Sequence, residues 1–407
     1  MKNRKRLLAL LLSLVLTVSL CACRPDGSTD SSESPDPTAS PDLSASPDPS
    51  AEPSIEVDLT QDAVTFAAGL SGDETLLTVN GEEVPADLFL YWLFWDCYYF
   101  ESSYFYYGIS VADFADMLRD DAVDMALYYI VLRQKVAELG CLPTDAQMQE
   151  ARDAMMADGQ EYYDSLKAAY GLSDGSMDYL TTSSCYYENL LDALIPTATD
   201  EMLNGYAYQT KHILLKTVDD QMQPLSDEET AAQRALAEDI LSRLQAVEGE
   251  ERLALFDELM NQYSEDGRNE NGDLAAPDGY EAVLGDGASS NDLVMVEAYE
   301  EASLALPIGG MSGIVESTYG YHIILRGELE HPENYTDNCR MYYLDQDLDG
   351  MVEDAEFTLA GALEALDVAS FYERYIAYQN AVMEQYYASL EGGDPGDGDP
   401  VYGDGEG

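Results

Sequence analysis

The 407 residues carry 79 acidic against 19 basic side chains, a formal charge of −60 at pH 7. A phosphate backbone repels such a surface, which excludes nucleic acid as a partner, and an anionic lipid surface does not attract the body of the protein either. With 46% hydrophobic residues, the length allows two or three packed domains of about 100–200 residues each.

In chain order, Lys2, Arg4, Lys5 and Arg6 precede an apolar run from Leu7 to Leu20, too short for a comfortable membrane span. Residues 1–22 therefore read as a secretory signal. Its end resembles the bacterial lipobox: Leu20 stands three residues before Cys23 and small Ala22 directly before it, whereas bulky Leu20 precedes Cys21. The resemblance implies cleavage before Cys23 and a lipid on that cysteine. The protein is then held on the outer face of a bacterial cytoplasmic membrane by two or more acyl chains, enough for stable anchoring. Residues 23–73 are rich in Ser, Pro, Asp and Thr, with Ser-Pro-Asp recurring at 34–36, 40–42 and 46–48. They bury little and are expected to form a disordered tether.

The folded part is expected from residue 74. Leu76 to Val84 reads as two short strands around the Asn80-Gly81 turn. Helical spacing of apolar residues follows over 88–107 and 112–139. Thr144 and Gln147 have capping-box spacing for another helix, and 174–195 gives one more. Residues 74–205 thus form a mainly helical part. The aromatic run Tyr91-Trp92-Phe94-Trp95-Tyr98-Tyr99-Phe100 reads first as a buried helix and second as a cradle for unfolded chains. From 206 to 328 the pattern changes to β-α-α-loop-α-β-β, with a capping box at Ser226 and Glu229. Helical patterns return over 329–391, and the Gly- and Asp-rich tail 392–407 is expected to be disordered. Cys97, Cys141, Cys185 and Cys339 contain no C-x-x-C and allow three full pairings; buried free thiols are the favoured reading.

The segment 211–326 resembles the parvulin-type peptidyl-prolyl isomerases. Matching pieces occur in order: Lys211-His212-Ile213-Leu214-Leu215-Lys216, Tyr263-Ser264-Glu265-Asp266, Asn271-Gly272-Asp273-Leu274, Tyr299 to Leu306, Gly309 to Val315, and Tyr319-Gly320-Tyr321-His322-Ile323-Ile324-Leu325-Arg326. The resemblance implies an α/β parvulin domain. His212 and His322 are then its paired site histidines on adjacent central strands, and Asp266 stands where members carry Cys or Asp. Leu274, Met295 and Tyr299 would be walls of the proline pocket. Between Leu274 and Met295 the chain is longer than in compact members, and Ala275 and Ala276 stand where many have Gly and an aromatic. Phosphate-directed members carry basic residues after the first strand. Here Thr217-Val218-Asp219-Asp220-Gln221-Met222 is acidic, which points away from phosphorylated substrates.

The order of lipobox, tether, helical part, parvulin domain and helical part resembles the extracytoplasmic foldase lipoproteins of the PrsA and SurA type. In these, a strand pair beginning Val-Asn-Gly opens a chaperone domain into which the parvulin domain is inserted. The resemblance implies an α+β protein that isomerises Xaa-Pro bonds, without a cofactor, in unfolded or partly folded secreted polypeptides. A holdase without catalysis is the alternative, and the oligomeric state is open, a homodimer included. A third reading is a calcium-dependent surface binding protein. Asp345, Asp347, Asp349 and Glu356 with Gly350 match the EF-hand loop pattern, although Leu344, Leu348, Met351, Val352 and Ala355 fall at helical spacing.

Overall fold

The computed structural model describes residues 55–104 and 107–391. The expected signal sequence 1–22, Cys23, most of the expected tether and the tail 392–407 lie outside the described residues. These residues divide into two compact units. One runs up to Leu190 and resumes at Leu348; the other is Leu191–Asp347. This is the expected fold class, an α/β domain within a mainly helical chain.

The first unit is built on a small sheet. Strands β1 (Thr75–Val79) and β2 (Glu82–Pro85) form a hairpin whose turn residues Asn80 and Gly81 have φ of 51° and 87°. Both positions are left-handed, which Asn-Gly tolerates better than other pairs. The helices that follow are α1 (Ala63–Ala68), preceding the hairpin, then α2 (Ala86–Tyr104), α3 (Ala115–Leu139), α4 (Asp145–Met155), α5 (Gln160–Ala169) and α6 (Asp174–Leu194). The capping box at Thr144 and Gln147 opens α4.

Helix α1 corrects the tether boundary. Asp62 caps it, accepting from the Thr65 N–H at 2.9 Å, and Ala63, Val64, Phe66 and Ala67 are buried. Six residues are too few for helical periodicity to register in a polar stretch, so the segment reads as linker until its neighbours are known.

Of the aromatic run on α2, Trp92 and Phe94 are core and Tyr91, Trp95, Tyr99 and Phe100 are half-buried. Trp92 stacks on Tyr129 with centroids 5.5 Å apart and planes 4° apart, and Phe94 packs on Tyr375 at 5.2 Å. Tyr98, Tyr104 and Tyr107, at its far end, are exposed. Asp87 ties α2 to α6. Its carboxylate is buried and accepts from the Leu88 N–H at 2.8 Å, the Ser173 N–H at 2.7 Å and the Ser176 hydroxyl at 2.8 Å. A carboxylate at two helix N-termini suits both the orphan amides and the helix dipoles. Asp87→Ala is expected to destabilise this unit by about 3 kcal/mol, measured by urea unfolding; an unchanged midpoint would contradict the role.

One further strand completes the small sheet. Strand β7 (Phe357–Leu359) pairs antiparallel with β1, in register Leu77↔Leu359 and Val79↔Phe357. The segment 345–356 preceding it corrects the calcium reading. Asp345, Asp347 and Asp349 lie within one continuous helix, Thr336–Glu353, where Leu344 and Leu348 are buried. Glu356 leads into β7, its carbonyl accepting from the Asn80 N–H at 2.7 Å and its N–H donating to Asn80 Oδ1 at 2.9 Å. Apolar spacing therefore prevails over the carboxylate pattern. Among the described residues no cluster of His, Cys, Asp and Glu is arranged to hold a metal ion. The long closing helix, Val368–Glu391, packs Phe371, Tyr372 and Tyr375 inward.

The second unit is a four-stranded antiparallel sheet, β4-β3-β6-β5. Its central strands are β3 (Ala207–Lys216) and β6 (Gly320–Gly327), flanked by β4 (Tyr280–Val283) and β5 (Val315–Glu316). One face is covered by Asp227–Gln245, opened by the capping box at Ser226 and Glu229, and by Gly249–Tyr263. There Ile213, Leu215, Ile323 and Leu325 pack with Ile240, Leu244, Phe256 and Leu259. The other face meets the helix Glu297–Ala305, with Tyr208, Ala282, Tyr299 and Ile324 buried together. The order is thus β-α-α-β-α-β-β. Strand β4, only four residues long, falls in what reads as loop.

Arg326, on β6, fixes the helix Glu297–Ala305. Its guanidinium is buried and donates to the carbonyls of Ser303 at 3.3 Å, Leu304 at 3.0 Å and Leu306 at 2.8 Å. These carbonyls lie at the helix's C-terminal end, where that of Ser303 also accepts from the Leu306 N–H at 3.3 Å. Arg326→Ala removes this buried donor and is expected to cost about 3 kcal/mol of stability; thermal unfolding measures it.

The four described cysteines are free: Cys97, Cys185 and Cys339 are buried and Cys141 is partly so. No helix among the described residues is long and apolar enough to cross a membrane.

Candidate active site

Side chains alternate along a strand, so Tyr208, Thr210 and His212 leave β3 on one face and Ile213 and Leu215 leave it near the other. On β6, His322 and Ile324 share the first face. The register pairs Leu214 with His322 and His212 with Ile324, which sets the two histidines diagonally across adjacent strands. Their rings lie nearly parallel, 5.3 Å between centroids, with Nδ1 to Nδ1 at 3.2 Å. Both are buried, at 8% and 3% exposure.

Asp266 comes from the loop after the helix Gly249–Tyr263. That loop is sewn to β3: the Glu265 N–H donates to the Leu214 carbonyl at 2.8 Å, and the Leu214 N–H to Ser264 Oγ at 3.1 Å. Arg268 holds it from below, donating to the carbonyls of Asn261, Ser264 and Gly272 at 2.8, 3.0 and 2.9 Å. Asp266 Oδ2 thereby sits 3.0 Å from His212 Nε2 and accepts from the Tyr280 hydroxyl at 2.6 Å. Burial raises the pKa of this carboxyl, yet the hydrogen bonds from His212 and Tyr280 outweigh it and hold the group well below the usual carboxylate range.

At the other end of the chain of contacts, His322 Nε2 is 2.7 Å from Ser317 Oγ, which itself accepts from the Tyr319 N–H at 3.1 Å. Burial, then the neighbouring His212, push the His322 pKa down to about 3. His322 is therefore a neutral imidazole at neutral pH. One assignment satisfies every contact with both rings neutral. Ser317 donates to His322 Nε2, His322 Nδ1–H donates to His212 Nδ1, and His212 Nε2–H donates to Asp266. The donors all point toward one anionic carboxylate.

Tyr299 forms the floor. It meets His212 and His322 edge-on, with centroids 5.1 and 5.3 Å away, and its hydroxyl pairs with Thr210 Oγ1 at 2.9 Å. At 1% exposure it lies beneath the surface, while Met295, packed on the same cluster, is partly exposed. Leu274 is placed elsewhere. It is buried on the helix side of the sheet with Ile213, Leu215 and Phe256, opposite the histidines. The structure thus brings His212, His322, Asp266 and Tyr299 together with Met295 at the edge of their cluster, and leaves Leu274 out. Asp266 also borders a cavity of about 780 Å³ between the end of β3 and the covering helices, walled by Leu215, Leu236, Tyr263 and Glu265.

Three participants carry no mark in the sequence motifs. Thr210 was legible by alternation, two residues before His212. Ser317 lies five residues before His322 with no motif of its own. Tyr280 is displaced by an insertion. Ala275 and Ala276 are followed by a Gly-aromatic pair, Gly279 and Tyr280. Gly279 has φ of 89°, and a Cβ there would fall 2.2 Å from the Thr210 carbonyl oxygen, so only glycine permits that approach. Ala275 to Asp278 are the added residues.

Residues 212–328 match the family described as rotamase, PPIC-type PPIase domain. The foldase protein PrsA of Halalkalibacterium halodurans is 29% identical over 229 residues, which covers 53% of this chain and 61% of that protein. The chain thus matches about three-fifths of the length of that curated relative. Among solved structures, the peptidylprolyl isomerase PrsA of Bacillus cereus overlays with a TM-score of 0.30 at 17% identity, over 81% of this chain and 96% of the other. One from Campylobacter jejuni, from a study of the SurA-like chaperones PEB4 and Cj1289, overlays at 0.21 and 10% identity, over 70% and 99%.

Proposed function

We propose that this chain, whose residues 212–328 carry a PPIC-type PPIase domain, is a peptidyl-prolyl cis/trans isomerase that assists the folding of secreted polypeptides. It works from a lipid anchor at Cys23 on the outer face of the cytoplasmic membrane. The observation that carries the reading is the hydrogen-bonded line from Ser317 through His322 and His212 to Asp266, set over the Tyr299 floor.

The reaction needs no nucleophile. Rotation about an Xaa-Pro bond breaks amide resonance, at a barrier of about 18–20 kcal/mol, while the two planar forms lie close in energy. A catalyst has only to favour the twisted form. The planar amide places partial negative charge on its oxygen and the twisted one withdraws it. A fixed carboxylate beside that oxygen therefore disfavours the planar state, and a site with little water strengthens the effect. Asp266 supplies the charge, the two histidines orient it, and Met295, packed beside Tyr299, offers an apolar seat for the proline ring. The acidic run Asp219-Asp220 after β3 supports a preference for neutral or basic residues before proline over phosphorylated ones.

A holdase without catalysis is the second reading, favoured by two observations: Tyr299 is almost fully buried with its hydroxyl spent on Thr210, and Tyr98 and Tyr104 are exposed toward the end of α2. Refolding of a proline-limited protein separates the two. The isomerase shortens the slow phase at substoichiometric amounts. A holdase lowers aggregation and leaves that phase unchanged, a result that would refute catalysis.

A further inference from the structure

We infer that Tyr280 is a positioning residue for the reaction: its hydroxyl, from the neighbouring strand, locks Asp266 in the orientation that faces the substrate amide. The inference rests on the isomerase reading above and extends it to a residue supplied by an insertion.

Asp266 stands on a loop, with its side chain 27% exposed. A carboxylate there, held by a single donor, is free to turn about its last torsion and to trade His212 for water. Here two donors from two different strands meet on the same oxygen, His212 Nε2 from β3 and the Tyr280 hydroxyl from β4. The hydroxyl contact, at 2.6 Å, is the shorter, as expected for a donor to a charged oxygen. The free oxygen then has one direction.

Tyr280 is itself placed from three sides. It pairs with Thr210 in the β3–β4 register, next to the strand position that carries the partner of Tyr299. The glycine before it lets the backbone close onto the Thr210 carbonyl. Its ring stands perpendicular to His212, at 86° and 5.9 Å. One side chain therefore touches both Asp266 and the imidazole that Asp266 must face. Burial and the bond to Asp266 push the phenol pKa up, so it stays a donor throughout the working range. The other ionisable groups directed at Asp266 are His212 and His322 from the central strands and Tyr299 from the helix beneath.

The test compares the full chain with its Tyr280→Phe, Asp266→Asn and double variants. Phenylalanine keeps the ring and its edge contact and removes only the donor. Two readouts are taken: kcat/KM for an Xaa-Pro peptide from pH 4 to 8, and the Asp266 carboxyl titration followed by carbon-13 NMR. With its depressed pKa, Asp266 in the wild type stays ionised down through the ordinary carboxylate range. Its contribution is present above that pKa and lost only as pH falls through it. Tyr280→Phe is expected to lower kcat about tenfold at pH 7 with KM little changed. It should also raise the Asp266 midpoint, read in the carbon-13 titration carried to pH values below the kinetic window. In the double variant the loss is expected to equal that of Asp266→Asn alone. An unmoved carboxyl midpoint with an unchanged rate would overturn the inference, as would losses that simply multiply in the double variant. If the wild type has no isomerase activity, the isomerase reading fails by itself, because the titration does not depend on turnover.

Discussion

His212→Ala is expected to lower kcat/KM for an Xaa-Pro peptide by about 100-fold, most of it in kcat. The size follows from what the imidazole joins. It is the only link between the Ser317–His322 end of the line and Asp266. Its removal leaves His322 Nδ1 buried beside a void and takes one of two donors from the Asp266 oxygen. The carboxylate then turns toward water, and the water that enters the void weakens whatever field remains. The remaining effect on stability is expected to be about 2 kcal/mol, so the variant still folds and the kinetic comparison is sound. His322→Ala is expected to cost less activity, since Asp266 keeps both donors. Equal rates for wild type and His212→Ala, with peptide binding retained, would move the protein to the holdase class.

The second large effect concerns the residue before proline. A phosphoserine at that position is expected to lower kcat/KM by about 100-fold relative to lysine. A phosphate brings a charge of about −1.5 to −2 toward the Asp266 carboxylate and the acidic pair Asp219-Asp220 that follows β3. Arg268, the nearest loop cation, is already committed to three backbone carbonyls. One pair of unit charges at about 8 Å and an effective dielectric of about 20 amounts to roughly 2 kcal/mol, close to the hundredfold figure. The difference should shrink steeply between 0.05 and about 1 M salt, where the Debye length falls to about 3 Å. Comparable kcat/KM for the lysine and phosphoserine peptides at low salt would refute the charge argument.

Much of this site is legible before the fold is known, for reasons that particular residues make clear. His212 and His322 sit inside apolar strand runs, so their shared face follows from the two-residue repeat of a strand once the two strands are adjacent. Asp266 is marked by its Tyr-Ser-Glu-Asp context. Tyr280 is hidden because the added residues Ala275 to Asp278 displace it from its usual distance to Leu274, and distance along the chain is what a motif measures. Leu274 misleads for the opposite reason: its position matches, but the turn closed by Asn269 and Gly272 delivers it to the helix face. Local patterns fail wherever a neighbour from far along the chain decides the structure. The 345–356 carboxylates read as a cation loop until Leu344 and Leu348 are seen to be buried. Strands β4 and β7, of four and three residues, have too few side chains to alternate and exist because β3 and β1 offer them an edge. Helix α1 likewise needs Tyr378 and Arg374, more than 300 residues on, to cover Phe66.

The central claim is that the Asp266–His212–His322 line turns over Xaa-Pro bonds. Magnetisation-exchange NMR on an Ala-Lys-Pro-type peptide measures that directly, since it reads cis/trans exchange at equilibrium and needs no coupled enzyme. With a few per cent of the protein present, exchange too slow to see in buffer should become fast enough to give cross-peaks between the cis and trans resonances, and His212→Ala should remove them. A wild-type protein that binds the peptide and leaves its exchange at the buffer rate would contradict the account.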